Sequence, residues 1–284
     1  MQQITIFSVS KIMKLQLLFL FTFICAISFS QRQNGKSKSE IGIILGGSYY
    51  IGDLNTTDHF ENTNLAFGGI FRYNVHSRMA LRTTFSYGNL DAKDSDSKLD
   101  VVKNRNLSFQ SDFYEFASGV EFNYLPYQTG HTKRRISPYI YAQIGVFRMN
   151  PKTNYNGDLI ELQELGTEGQ GTDLSNQNFY SKTQICMPVG FGVKMSLSKN
   201  ISLSFEYGLR KTFTDYIDDV KSSRYFNREE LSSVNGPIVA ELSNRSLDGS
   251  SFGRRGTPDT KDWYFVFGGI LSMRLGPPDK CFQH

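Results

Sequence analysis

The sequence predicts an all-β fold, an eight-stranded antiparallel transmembrane β-barrel with short periplasmic turns and long outer loops. Three observations predict it. Apolar and polar residues alternate with a period of two over five clear segments, and the connections between segments alternate between short and long. Beyond residue 30 no apolar run reaches the ~20 residues that a membrane-spanning helix needs. Composition agrees: Gly 25, Tyr 15 and 20% charged residues suit strands and turns better than a helical bundle.

Met13-Lys14 opens an uncharged stretch, Leu15 to Phe29, that ends at Ser28-Phe29-Ser30 before Gln31. This pattern makes residues 1–30 a cleaved export signal, translated from Met1 or Met13, and leaves 31–284 as a single barrel domain with a short periplasmic tail. Thr22-Phe23-Ile24 before Cys25 does not match a lipoprotein site. Loss of Lys11 and Lys14 lowers the formal charge of +4 by two, so the mature chain is no nucleic-acid binder by bulk electrostatics. Cys186 and Cys281 lie far apart, and a domain of this size needs no disulfide framework.

The strands follow in chain order. Ile41–Ile51 and Leu65–Val75 are strands whose outward face the pattern does not settle. Met79, Leu81, Thr83, Phe85 and Tyr87 alternate with Ala80, Arg82, Thr84 and Ser86; Tyr114, Phe116, Val120 and Phe122 alternate with Glu115, Ala117, Gly119 and Glu121. Pro138–Arg148 is again a strand of unsettled face. Ile185 to Leu197 alternates around Cys186, Gly190, Gly192 and Lys194, with Pro188 marking a bulge or a weakly paired stretch. Ile201, Leu203, Phe205, Tyr207 and Leu209 against Ser202, Ser204, Glu206, Gly208 and Arg210 form the cleanest strand, and Trp263–Leu275 closes the set. Short connections fall at 74–78, 128–137 and 198–200, and long ones at 52–64, 91–112, 149–182 and 215–261. An even strand number then puts both mature termini on the periplasmic side.

Alternation also fits a soluble barrel with an apolar ligand cavity. The export signal, the alternating turn lengths and aromatics near strand ends (Tyr49, Tyr73, Tyr87, Tyr114, Tyr124, Trp263) favour the membrane barrel, with outer-membrane lipids around it. Its wet face then carries Arg82, Lys194, Arg210 and Arg274 against Glu115, Glu121 and Glu206, a buried ion network that reads as a structural plug, with a proton or ion path as the competing reading.

The outer rim carries Asp53, His59, Asp215, Asp218 and Asp219, types that could activate water or bind calcium. No spacing fixes a pair, and solvated loops explain them as well. The nucleotide-loop, HExxH, CxxC and nucleophile-elbow motifs are absent, so no catalytic residue, cofactor or metal is expected. Cys186 reads as a small packed side chain. His76, and His131 beside Lys133, Arg134 and Arg135, read as solvated periplasmic turns, or as a basic patch for lipid headgroups or an acidic partner.

Three rim segments carry a family resemblance: Tyr50-Ile51-Gly52-Asp53-Leu54-Asn55, Thr214-Asp215-Tyr216-Ile217-Asp218-Asp219-Val220, and Arg255-Gly256 followed by Asp262-Trp263-Tyr264. With Ser137-Pro138-Tyr139-Ile140-Tyr141 and Cys281 after a Gly-Pro break, the chain from Glu40 to Cys281 resembles the PorG-like outer-membrane barrels of the type IX secretion system in Bacteroidota. Its third and fourth outer loops are longer than that family leads one to expect. The resemblance implies a non-enzymatic part in protein export and gliding motility, fixing a periplasmic ring of lipoprotein and associated secretion subunits to the outer membrane. It places the contact on the periplasmic turns and on the tail from Gly276 to His284, with His131, Lys133, Arg134, Arg135, Lys280 and Cys281 as candidates. The competing readings are a generic barrel acting as adhesin or structural protein through its outer loops, and a rim hydrolase using Asp215 and His59.

Overall fold

A computed structural model describes residues 38–175 and 177–276. The export signal, most of the tail, Lys280 and Cys281 lie outside the described residues.

Among the described residues nine strands form one antiparallel sheet. They are β1 (Ser39–Ile51), β2 (Asn64–His76), β3 (Met79–Lys93), β4 (Ser108–Asn123), β5 (Ile136–Tyr155), β6 (Asp158–Glu161), β7 (Thr183–Ser196), β8 (Ile201–Thr212) and β9 (Trp263–Arg274). Eight of them run round a closed barrel in the order β1-β2-β3-β4-β5-β7-β8-β9, with β9 returning to β1. The short β6 pairs only with β5, through a hairpin at Asn156-Gly157 whose φ values, 55° and 97°, are both left-handed as a two-residue hairpin turn requires.

The alternation sorts side chains as lipid requires. Ile43, Phe85, Phe116, Ile144, Phe191 and Phe205 stand exposed on the outside, while Arg72, Arg82, Glu115, Glu121, Lys194 and Arg210 are buried in the lumen. This also settles the uncertain strands: β1 and β2 turn Ile41, Leu45, Phe67 and Phe71 outward, and β5 turns Ile140 and Ile144 outward. With 12 residues in β8, a rise of about 3.3 Å per residue and a tilt of about 40° give a wall roughly 30 Å tall, matching the apolar band of an outer membrane. A belt of large apolar side chains at such density is unstable in water but at home in acyl chains. The chain is therefore an outer-membrane barrel.

Three strands run further outward than the alternation predicts. β3 reaches Lys93, β4 begins at Ser108 and β5 reaches Tyr155, so the two ends of the connection expected over 91–112 are strand. Above the membrane the pattern inverts: Leu90, Ala92, Phe109, Phe113, Phe147 and Met149 point inward, while Asn89, Asp91, Gln110 and Asp112 occupy the other face. There the wall has water outside and a core inside, as in a soluble protein.

Pro188 causes no bulge. The β5–β7 register is the same on both sides of it, and only the ladder opposite Gln143 and Ile144 is interrupted. The irregularity in register lies instead between Asn74 and His76, at the β2–β3 turn.

The long outer connections carry α1 (Asp100–Arg105), α2 (Arg228–Asn235) and α3 (Pro237–Ser243). Asn227 caps α2 by accepting from the backbone N–H groups of Glu229 and Glu230, and Pro237 opens α3 where no N–H is needed. Leu54, Leu107, Leu162, Tyr180, Tyr216, Ile217, Val220 and Leu242 from these connections join Phe113, Phe147 and Tyr264 of the wall in one apolar cluster. The loops thus form a packed cap over the outer mouth.

Candidate functional site: a filled lumen between two closed ends

Arg82 on β3 reaches Glu206 on β8, its Nη1 and Nη2 each donating at 3.1 Å to a different carboxylate oxygen. Glu121 on β4 accepts from Arg72 Nε at 2.9 Å, lies 3.4 Å from Arg82 Nη1, and pairs with Lys194 of β7. Glu115 accepts from Arg210 Nε at 3.2 Å and from the Tyr264 hydroxyl at 2.7 Å. Arg274 stands at the periplasmic end and donates to the Thr129 carbonyl at 3.1 Å. Arg72, a wet-face charge that the predicted ion pairs left out, belongs to the network through Glu121 and donates from Nη1 to the Ser272 hydroxyl at 3.0 Å.

Tyrosines complete the filling. The Tyr139 hydroxyl donates to Glu206 at 2.9 Å, the Arg82 guanidinium lies 3.8 Å from the Tyr141 ring centroid, and Lys194 Nζ lies 4.9 Å and 5.0 Å from the Tyr127 and Tyr139 rings. Glycines make room for them. A Cβ on Gly192 would come within 2.7 Å of the Tyr139 ring, and one on Gly208 within 1.9 Å of the Tyr141 hydroxyl. Charges of both signs, held by partners from opposite walls, make this interior a plug. Cys186 is buried, with its Sγ 3.8 Å from the Tyr264 hydroxyl.

At the outer end, the three rim segments meet. The Tyr50 hydroxyl lies 2.6 Å from Asp218 Oδ2 and 2.9 Å from Asp262 Oδ1, while the far oxygens of the two carboxyls accept from the Val220 and Ile217 N–H groups, each at 2.9 Å. One phenol has one hydrogen to give. Two carboxyl oxygens at bonding distance therefore share it, and burial raises both Asp218 and Asp262 well above the usual carboxylate range, which favours a proton held at this node.

The node leaves no space for larger residues. A Cβ on Gly52 would come within 2.2 Å of Asp262 Oδ1, and one on Gly256 within 2.7 Å of Val220 Cγ1 and 3.0 Å of Asp53 Oδ2. Asn55 closes the first segment by donating to the Tyr50 carbonyl at 3.1 Å, and Asp53 accepts from the Thr257 N–H at 3.1 Å. Trp263 lies under Lys211, whose Nζ is 4.0 Å from the ring.

Two arginines fasten the rest of the cap. Arg105 donates to both oxygens of Asp94 at 2.7 and 2.6 Å and to the carbonyls of Arg255 and Asp53. Arg255 pairs with Glu168 and donates to the carbonyl of Ser243 at 3.0 Å. Asp219 accepts from Tyr180 at 2.6 Å and from Thr167. These residues come from connections remote in sequence, and no spacing marked Asp94, Arg105 or Glu168 in advance.

The expectation of solvated rim acids fails here. Asp215, Asp218, Asp219 and Asp262 are buried in the cap, because their segments fold inward over the barrel core. His59 and Asp215 also have separate partners: His59 Nδ1 shares a 2.8 Å hydrogen bond with Tyr49 and the ring packs edge-on against Phe265, whereas Asp215 lies 3.5 Å from Lys261 Nζ. Among the described residues no group of three or more His, Cys, Asp or Glu side chains is placed to hold a metal.

The periplasmic connection at residues 124–135 is only partly the solvated turn that the sequence suggests. Lys133, Arg134 and Arg135 are exposed and His131 is half-buried, but Tyr127 and Thr129 are buried across the barrel's mouth. Thr129 donates to Glu40 of β1 at 2.7 Å, and Gly130 N–H donates to Ser196 of β7 at 2.8 Å. The turn leaves from β4 and is pinned to the far wall, so it lies over the end as a lid. His76 lies in the neighbouring β2–β3 turn, its Nδ1 accepting from the Arg78 N–H at 3.3 Å.

Comparison with known proteins adds a family. No curated protein matches the chain. Among solved structures it is similar to Neisserial surface protein A (10% identity, 84% of this chain and 98% of that one, TM-score 0.41). It is also similar to Ail of Yersinia pestis (11% identity, 82% and 97%, TM-score 0.38) and to OprG of Pseudomonas aeruginosa (8% identity, 84% and 98%, TM-score 0.36). The membrane assignment rests on the apolar belt and the charged interior. Over residues 16–235 the sequence matches the profile of DUF6089, a domain of unknown function, and the chain belongs to that family.

Proposed function

We propose that this protein is a non-enzymatic outer-membrane anchor, which holds a periplasmic ring of lipoprotein and associated secretion subunits of a type IX export and gliding apparatus at the membrane. The observation that carries the reading is the filled lumen: Arg82 and Glu206 meet across it, which moves the protein's work from its interior to its ends. The convergence of the three rim segments on Tyr50, Asp218 and Asp262 supports treating them as one structural unit, and they are the segments on which the family resemblance stands. The test is affinity purification of the mature protein from the cell envelope, comparing wild type with a variant whose 124–135 turn is replaced by an unrelated short turn. Ring subunits should accompany the wild type and be lost from the folded variant; their equal recovery with both would remove this placement of the contact.

A second reading, a barrel that adheres to an outside partner, draws on the cap, where Leu99, Val101, Leu247 and Phe252 are exposed. Loss of cell or matrix attachment on replacing all four with serine would favour it.

A further inference from the structure

We infer that the periplasmic end of the barrel is a preformed docking platform for an acidic protein surface. The inference rests on the anchoring reading and gives its partner a chemistry. Arg78, Lys133, Arg134, Arg135 and Lys199 are all exposed and come from the three separate periplasmic turns. Residues 74–78, 124–137 and 197–200 contain no Asp or Glu, and none of the five cations has an ion-pair partner among the described residues.

The turns are tied to one another. Tyr127 N–H donates to the Ser77 carbonyl at 2.9 Å, Asn123 N–H to the Arg78 carbonyl at 2.8 Å, and Ser196 N–H to the Arg135 carbonyl at 2.7 Å. A Cβ on Gly130 would fall 2.2 Å from the Lys199 carbonyl oxygen, so the second and third turns are in backbone contact. Five like charges thereby project from one surface of backbone-tied turns, a positive field that salt screens only in part and that an anionic surface would complement. The outer cap differs: there Arg105 and Arg255 are already paired with Asp94 and Glu168.

Geometry selects a protein over lipid. The lid starts from β4 and β5 and, through Thr129, reaches Glu40 on β1 and Arg274 on β9, the opposite side of the ring of strands. It crosses the whole mouth, so the surface that it supports faces along the barrel axis into the periplasm. Headgroups surround the wall instead. A matching partner presents clustered carboxylates on a face about as wide as the barrel.

The test uses the mature full-length protein in phosphatidylcholine nanodiscs, with fluorescent poly-L-glutamate as the probe and fluorescence anisotropy as the readout. Binding should be saturable and weaken as salt rises from roughly 50 to 300 mM. It should weaken at least about tenfold in K133E/R134E/R135E, while R254E on the outer cap stays within about twofold of wild type. Heat-dependent gel mobility verifies that each variant is folded. Equal binding by wild type and the triple variant overturns the platform. So does loss of probe binding when phosphatidylglycerol replaces a third of the lipid, since headgroups would then own the cations. Ring subunits that co-purify equally with the triple variant overturn the platform as the contact and leave the anchoring reading intact. Charge-dependent probe binding by a wild type that brings down no ring subunits overturns the anchoring reading and leaves the platform standing.

Discussion

Arg82 and Glu206 face each other across the full width of the barrel, on strands that stand four places apart in a ring of eight, and bond through two parallel N–H···O contacts of 3.1 Å. A bridge of this kind fixes the distance between opposite walls.

Removing one partner leaves the other charged and buried. Glu206→Gln is expected to destabilise the barrel by about 3 kcal/mol, and Arg82→Met/Glu206→Leu by clearly less than the two single changes added together. Urea unfolding in lipid vesicles, followed by Trp263 fluorescence and gel mobility, measures both; additive losses would mean that the pair acts as two independent residues.

Gly208→Ala tests the filling from the steric side. Its Cβ would meet the Tyr141 hydroxyl and Arg210 Nη1, so a cost of about 1–3 kcal/mol is expected. Gly269→Ala in β9, where the nearest atom lies 3.7 Å from the added Cβ, is the reference for the loss of backbone freedom alone.

The node around Tyr50 predicts a local effect. Tyr50→Phe takes away the hydroxyl that Asp218 and Asp262 share, and should weaken the cap by about 1–3 kcal/mol with little change in the membrane strands. Hydrogen exchange read by mass spectrometry should show faster exchange over residues 213–262 and unchanged exchange in β7 and β8. Uniform acceleration throughout would contradict a local role.

The cap also predicts a pH dependence. Burial raises Asp215 to about 7, an effect that Lys261 partly offsets, and raises Asp219 to about 6 against the opposing pull of Arg255. Both values exceed the 3.8 of an unperturbed Asp, so the folded cap binds more protons than the unfolded one between those limits. Through these two groups stability falls as pH rises from about 4 to about 7, and the raised Asp218 and Asp262 carry the fall on to higher pH. Exchange from residues 213–262, corrected for intrinsic rates, should be better protected at pH 5 than at pH 8, and Asp215→Asn should shrink that difference. A cap equally protected at both values would remove the linkage.

The membrane half of the barrel was legible in the sequence because lipid imposes a period of two on every strand, as Ile201 to Leu209 shows most plainly. The outer half was not, since Leu90, Phe109 and Phe113 follow the opposite rule once the wall leaves the membrane. A local signal was present in Asn156-Gly157, whose hairpin turn marks the β5–β6 extension. The cap node resisted prediction for another reason: Tyr50, Asp218 and Asp262 lie far apart in the chain, and only the closure of β1 on β9 brings their segments together. His59 shows the limit of composition, for it sits against Tyr49 and Phe265, whereas Asp215, with which a catalytic reading would pair it, lies beside Lys261.

A barrel that is sealed and works by its ends passes no ions, which planar-bilayer recording of the purified mature protein measures. At neutral pH and high salt, wild type should give no sustained conductance steps. Reproducible steps from a correctly folded sample, abolished by heat denaturation, would contradict it.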